Sequence, residues 1–270
     1  MNKPKLLFVY DLGSHEDMWR DGLWSALKIL EQDFEVSKHN LSEDNQFPSP
    51  YEQDFILGWG AFGGTVDRAL QHVELSNYKK GLCIGGNVHP PTGADNYDVL
   101  FYETEWYKPQ IASHKNIIHA FGVNTDIFGQ APKVSSQKIW DYLTVGCFSL
   151  WKRQTLLGNK KGDKLAVGDI QQNNQRESYA IIYDLLQDGV AISGQVHPER
   201  LVKIYRASKN VYIPADINGG GERAVLEARV CGIPVEIEKD NPKLAELLTC
   251  PIYDQNYYAN QLKKGIFSVL

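Results

Sequence analysis

A glycine-rich stretch near residue 220 combines the residue types that hold a phosphate group and a hydroxyl group. Asn218-Gly219-Gly220-Gly221 follows a short apolar run at residues 211–214 and precedes a helix-compatible segment at residues 222–231. Glycines let a ligand approach the main chain, and the free amides at a helix N-terminus attract anions. Glu227, inside the helical segment, can face the same ligand. Amides and a carboxylate together indicate a nucleotide or a nucleotide-sugar; a tight turn with Glu222 at the helix dipole is the simpler alternative.

Short strands and amphipathic helices alternate along nearly the whole chain, beginning with an apolar strand at residues 5–10. The pattern restarts at residues 142–147, after a polar stretch with Pro and Ser at residues 128–139 that is typical of a linker. Strands that alternate with helices predict parallel βαβ units. We therefore expect an α/β protein with two Rossmann-like domains that face a central cleft, where ligands would bind at the carboxyl ends of the strands.

The same pattern predicts where the domains begin and end. The N-terminal domain is expected at residues 1–130 and the C-terminal domain at residues 131–255. Residues 256–270 form a last helix that can pack back on the N-terminal domain. Helices are also predicted at residues 103–112, directly after a strand, and at residues 152–158, after the strand at residues 142–147 and its turn.

The composition narrows the class of protein. A chain of 270 residues with 43% hydrophobic residues can bury one large or two smaller cores, and no run of 18 apolar residues is present. The net charge of −5 provides no general attraction to nucleic acid. The N-terminus lacks the pattern of a signal peptide. Four widely spaced cysteines without a CxxC pair favour buried free thiols over a zinc site, so we expect a cytoplasmic protein.

Several segments of the second half occur in an order that is typical of one enzyme family. They are Phe121-Gly-Val-Asn-Thr-Asp-Ile-Phe128, Thr144-Val-Gly-Cys-Phe-Ser-Leu-Trp-Lys-Arg153, Lys164-Leu-Ala-Val-Gly168, Gly194-Gln-Val-His-Pro-Glu-Arg-Leu-Val-Lys-Ile-Tyr205, Pro214-Ala215 and Val225-Leu-Glu-Ala-Arg-Val-Cys-Gly-Ile-Pro-Val235. Together they resemble the retaining GT-B glycosyltransferases of the large nucleotide-sugar-dependent class (family-4-like), in a compact bacterial or phage form. The resemblance covers residues 117–248, whereas the N-terminal half is similar in architecture only.

The resemblance implies that a sugar leaves a nucleoside diphosphate, whose new negative charge the protein must stabilise. Lys152 and Arg153 follow a strand and its turn, and a compact ammonium and a forked guanidinium suit that task. Gly219, Gly220 and Gly221 would present their amides to the phosphates or to the sugar. Two solvated cations at a helix start are the alternative interpretation of the basic residues.

The resemblance suggests roles for four other residues. Glu227 matches the glutamate that holds the ribose hydroxyls of the nucleotide. Glu222 and His89 are the candidate catalytic residues near the donor sugar. Gly13, in the turn after the first strand, would allow close approach to the donor phosphates. No protein nucleophile, cofactor or essential metal is implied, which agrees with the lack of an Asp-x-Asp motif.

Two positions depart from the family pattern. Gly219 stands eight positions before Glu227, where the family has the first of its paired glutamates, and Glu222 stands three residues after that glycine. Cys147 stands where the family has a basic residue after Val-Gly. The first departure raises the question of whether Glu222 replaces the missing acid. The second leaves two alternatives open: Arg153 replaces the basic residue, or phosphate binding rests on Lys152 and the helix amides.

The sequence therefore predicts a hexosyl- or pentosyltransferase that retains the anomeric configuration. Its acceptor is left open between a glycan, a lipid and a modified phage DNA base, and no membrane span is expected. Two other functions stay open: a sugar-nucleotide epimerase or hydrolase on the same fold, and a non-catalytic nucleotide-sugar binding module.

Overall fold

The computed structural model describes residues 3–12, 21–44, 52–72, 78–85, 92–130, 137–171 and 174–270. Two predicted site residues, Gly13 and His89, lie outside these ranges. The chain divides into two compact units. The first comprises Met1–His15, Gly22–Gly122 and Tyr253–Leu270, and the second comprises Glu16–Asp21 and Val123–Ile252.

The described residues form eleven strands and eight α-helices. The strands are β1 (Lys5–Tyr10), β2 (Glu35–Asn40), β3 (Phe55–Gly60), β4 (Lys80–Ile84), β5 (Val99–Tyr102), β6 (Ile117–His119), β7 (Trp140–Val145), β8 (Lys164–Val167), β9 (Ala191–Ser193), β10 (Ser208–Ile213) and β11 (Val235–Ile237). The helices are α1 (Gly22–Leu30), α2 (Thr65–Gln71), α3 (Thr125–Phe128), α4 (Gln175–Gln187), α5 (Pro198–Arg206), α6 (Glu222–Val230), α7 (Pro242–Leu247) and α8 (Gln255–Phe267).

Each unit is built on one parallel sheet. The strand order is β2-β1-β3-β4-β5-β6 in the first unit and β11-β10-β7-β8-β9 in the second. The order reverses beside the first strand of each sheet, which is the point where doubly wound sheets bind ligands. The predicted α/β class with two Rossmann-like parallel sheets is confirmed.

The last helix belongs to the first unit. Lys263 of α8 binds the carboxylate of Asp33 at 2.6 Å, in the segment that joins α1 to β2. A Cβ on Gly265 would lie 2.5 Å from the ring of Phe101, so only glycine lets α8 approach β5 this closely. The first unit is therefore closed by residues from the far end of the chain.

The second unit has β10 near the middle of its sheet. Val211 is fully buried and pairs with Leu143 of β7 on one side and with Val235 of β11 on the other. An apolar cluster of the second unit, which includes Phe148 and Leu185, packs against the sheet. This core holds the carboxyl ends of β7 and β10 side by side.

Two predicted helices differ from the structure. Residues 152–158 do not form one α-helix: 3-10 helices span Leu150–Lys152 and Gln154–Asn159, and Arg153 between them has a left-handed φ of 48° that interrupts helical hydrogen bonding. Residues 103–112 contain only the 3-10 helix Glu105–Gln110, which includes Pro109 and so lacks one backbone donor. Within the described ranges, no helix has the length and apolarity that crossing a membrane requires.

Candidate functional site

The glycine-rich stretch and the basic residues leave the sheet at neighbouring strands. Residues 214–221 follow β10 and residues 146–153 follow β7, and these two strands pair in parallel from Ser208↔Trp140 to Val211↔Leu143. The order of the second sheet reverses between them. Because parallel strands end at one edge of a sheet, both segments emerge together at the place where ligands bind in such sheets.

Gly219 packs directly on the chain that follows β7. A Cβ at this position would overlap the carbonyl oxygen of Trp151 and lie 2.8 Å from its carbonyl carbon. The same carbonyl oxygen accepts a hydrogen bond from the amide of Asp216 at 3.0 Å, and the Gly219 amide donates to Asp216 O at 2.9 Å. This backbone therefore has room only for glycine where the resembling family has its first glutamate.

Gly220 and Gly221 turn the chain into α6. Their φ angles of 65° and 113° lie in the left-handed region, which strains any residue with a Cβ. A Cβ on Gly221 would also lie 2.8 Å from Cγ2 of Ile213. Gly221 is the N-cap of α6, and a glycine has no side chain that could accept hydrogen bonds from the first amides of the helix. The first amides of α6 are thus left for an anionic ligand.

Lys152 reaches this turn from the segment after β7. A Cβ on Gly220 would lie 3.2 Å from the Lys152 Nζ atom, and one on Gly146 would lie 3.4 Å from its Cε atom. Within the described part of the chain, the ammonium forms no ion pair and no hydrogen bond. Burial lowers the pKa of Lys152, and the nearby Cys147 and Glu222 side chains raise it. The structure thus brings to the start of α6 a cation that has no direct partner among the described residues.

Glu222 stands between two lysines. Its Oε1 atom lies 3.0 Å from the Nζ atom of Lys243, and both side chains are almost completely buried. Its Oε2 atom lies near the glycine turn, where a Cβ on Gly220 would be 3.3 Å from it. Arg223, the next residue, instead binds Asp21, which belongs to the same unit. The carboxylate of Glu222 is therefore held at the glycine turn by a buried ion pair, although its Oε1 atom forms no hydrogen bond within the described residues.

The Arg153 side chain binds a backbone carbonyl and a carboxylate of the same unit. Its Nε atom donates to the carbonyl of Pro214 at 2.8 Å, and its two terminal nitrogens bind the carboxylate of Asp240 at 2.8 and 2.7 Å. Hydrogen bonding to Asp240 raises the pKa of the guanidinium. The left-handed backbone at Arg153 turns the chain between two 3-10 helices, so adjacent residues need not face the same ligand. The structure thus joins Arg153 to Asp240 and to the carbonyl of Pro214, at the start of the segment that follows β10.

Glu227 lies further along α6 with 8% of its surface exposed. The hydroxyl of Tyr205 donates to its Oε2 atom at 2.9 Å. Burial raises the pKa of Glu227 to about 7, and Arg223 and the Tyr205 hydrogen bond oppose that rise. A carboxyl that changes its charge near neutral pH can accept bonds from vicinal hydroxyls mainly above that pH.

Comparisons with known proteins find the same architecture. No family model and no curated protein matches this chain. Among solved structures, Anabaena Alr3699/HepE in complex with UDP-glucose superposes with a TM-score of 0.67 at 14% identity, covering 98% of this chain and 90% of that one. Sucrose-phosphate synthase from Thermosynechococcus elongatus gives 0.64 at 15% identity, covering 96% and 89%. The chain has the GT-B fold. UDP-GlcNAc 2-epimerase from Methanocaldococcus jannaschii gives 0.51 at 12% identity, covering 96% and 99%.

Three residues of this GT-B protein's site were not selected by sequence reasoning. Lys243 and Tyr205 are fully buried and hold the two glutamates, and the buried amide of Asn241 donates to the carbonyls of Ala215 and Asp216 at 3.0 and 2.8 Å. The sequence position of Lys243 could have indicated its burial, because it shares one face of α7 with Leu244 and Leu247, and that face is buried. Within the described ranges, no three His, Cys, Asp or Glu side chains group as metal ligands would.

Proposed function

We propose that this GT-B protein is a glycosyltransferase that moves a hexosyl or pentosyl group from a nucleotide-sugar donor to an acceptor with retention of anomeric configuration. One observation carries the proposal: the Lys152 ammonium and the uncapped start of α6 meet at Gly220, where the strand order of the second sheet reverses. Amides and an ammonium at one point are suited to a diphosphate. The motif resemblance across residues 117–248 and a structural neighbour that binds UDP-glucose support the same ligand class.

In the proposed reaction, the bond between the anomeric carbon and the diphosphate oxygen breaks, and the acceptor oxygen bonds to that carbon on the same face. The acceptor proton passes to the leaving diphosphate. Lys152 and the amides of the glycine turn stabilise the charge that develops on the diphosphate. Glu227 accepts hydrogen bonds from the ribose hydroxyls, and Glu222 lies beside the phosphates, towards the donor sugar.

A panel of nucleotide-sugars tests the proposal. We expect one donor to be consumed, by transfer or by slow hydrolysis, with the released sugar retaining its anomeric configuration when followed by NMR. Activity is expected to survive EDTA, because the resemblance implies no essential metal. Candidate acceptors are a glycan, a lipid and a modified DNA base. The four free cysteines suit a reducing compartment, so the assay is run with a reductant.

An epimerase is the second candidate, because UDP-GlcNAc 2-epimerase shares the fold over nearly its whole length. That reaction needs acid and base groups at the sugar, and Glu222, the described acid that we place towards the sugar, is held by Lys243. Appearance of an epimerised sugar-nucleotide in the panel would favour this function over transfer. Binding of the donor without turnover would favour a non-catalytic module.

Donor affinity is expected to rise with pH because of Glu227. Its pKa of about 7 leaves the carboxyl mostly protonated at pH 6 and mostly ionised at pH 8. If the ionised form binds the ribose hydroxyls, affinity increases about tenfold across this range. Calorimetric titration with UDP at several pH values measures the effect.

Two variants test whether Glu227 causes that pH dependence of donor affinity. Glu227→Gln should remove the part of the pH dependence that this carboxyl causes, because an amide does not titrate, and should leave the part that the terminal phosphate of UDP causes. Tyr205→Phe should move the midpoint to higher pH, because the Tyr205 hydrogen bond opposes the rise in the Glu227 pKa. An unchanged pH profile in Glu227→Gln would remove Glu227 from the nucleotide site.

A further inference from the structure

Lys243 is buried in a way that its own helix does not explain. Its side chain has no exposed surface, yet α7 is only six residues long and otherwise buries leucines on that face. Burying an ammonium costs much free energy unless the charge is paired. The pair is Glu222 at 3.0 Å, on a different helix and 21 positions away in sequence. The ammonium of Lys243 is therefore balanced by the carboxylate of Glu222.

The charged side chains around Gly220 explain what the pairing of Lys243 with Glu222 does for the site. Among the described residues, Lys152 and Lys243 are cations and Glu222 is an anion, and of these two lysines only Lys243 lies within ion-pair distance of the carboxylate. Arg223, whose charge also acts on Lys152, is paired with Asp21. The other oxygen of Glu222 faces Gly220, as the Lys152 ammonium does. If Lys243 were absent, the buried carboxylate would take Lys152 as its counter-ion. An anion arriving at the glycine turn would then meet a neutral pair.

We propose that Lys243 is a positioning residue that neutralises Glu222, so that the Lys152 ammonium stays free to bind the diphosphate of the donor. This inference rests on the proposed function. It resolves a conflict within the site, because a carboxylate at a helix N-terminus otherwise competes with an anionic ligand for the same amides and the same cation. Glu222 can therefore lie beside the phosphates without repelling them.

The interaction between Glu222 and Lys243 is measured with a double-mutant cycle. The variants are Lys243→Met, Glu222→Gln and the two combined, and the probes are inorganic pyrophosphate and UDP in calorimetric titrations. Lys243→Met should weaken pyrophosphate binding by about tenfold or more, because Glu222 then neutralises Lys152. The double variant should regain affinity to within about threefold of Glu222→Gln, because the competing carboxylate is gone.

A merely structural role for Lys243 gives a different result. Both variants that lack Lys243 would then lose affinity together, and no recovery in the double variant overturns the proposal. Wild-type affinity in Lys243→Met overturns it as well. Where the single variant does not fold, the double variant alone decides, since the proposal requires it to bind pyrophosphate about as well as Glu222→Gln does.

The same titrations separate this inference from the proposed function. If the wild-type protein binds pyrophosphate and UDP but neither transfers nor hydrolyses any nucleotide-sugar, glycosyl transfer is rejected. The double-mutant cycle then still tests the role of Lys243. A wild-type protein that binds neither probe rejects both. Recovery of affinity in the double variant supports the role of Lys243 whatever reaction the bound diphosphate undergoes.

Discussion

Replacement of Lys152 by Met is expected to lower turnover of the nucleotide-sugar by about two to three orders of magnitude. The Lys152 ammonium lies at the glycine turn beside the uncapped start of α6 and has no ion-pair partner in the described part of the chain. Removing one preorganised charge from the site of a developing oxyanion has an effect of about this size. Steady-state kinetics with the donor found in the panel give the measurement.

The matched control is Lys161→Met, because Lys161 is an exposed lysine in the same unit. It should leave turnover unchanged, which excludes a general effect of net charge. Binding gives a second criterion: Lys152→Met should weaken the affinity for UDP and leave the affinity for uridine unchanged. Equal losses for UDP and uridine would contradict a phosphate contact.

Introducing a side chain at Gly219 is expected to destabilise the second unit. A Cβ there overlaps the backbone carbonyl of Trp151 and lies 2.9 Å from Cβ of Ala215, and neither neighbour is a flexible chain end. Overpacking against backbone costs about 3 kcal/mol, which corresponds to a fall in Tm of about 10 °C for a unit of this size. Thermal unfolding of Gly219→Ala followed by calorimetry measures it.

Gly194→Ala is the control, since a Cβ at Gly194 meets no atom within 4 Å and the residue has no left-handed φ. Its Tm should stay within about 2 °C of the wild-type value. Gly219→Glu restores the acid of the resembling family in sequence and is expected to lose both stability and activity. Higher turnover in Gly219→Glu would show that the loop can move to accept the acid and would contradict the packing argument.

The order of strands and helices could be predicted from sequence, because hydrophobic periodicity is a local property. The strand at residues 5–10 is found with the predicted bounds, and the helix predicted at residues 222–231 is α6 within one residue. Local sequence failed at residues 152–158, where the left-handed backbone of Arg153 breaks the helix. A tertiary interaction accompanies this conformation, the pairing of Arg153 with Asp240, 87 positions away.

The two parallel sheets with their helices, the glycine turn before α6 and a lysine at the neighbouring strand end could all be predicted from the sequence. Which charged groups share that turn depends on how distant segments pack. Lys152 reaches Gly220, Arg153 binds Asp240, and Glu222 is paired by a lysine that sequence reasoning did not select. The physical reason is that periodicity depends on neighbours within a few residues, whereas charge pairing depends on distances that the packing of α6 and α7 on the sheet sets.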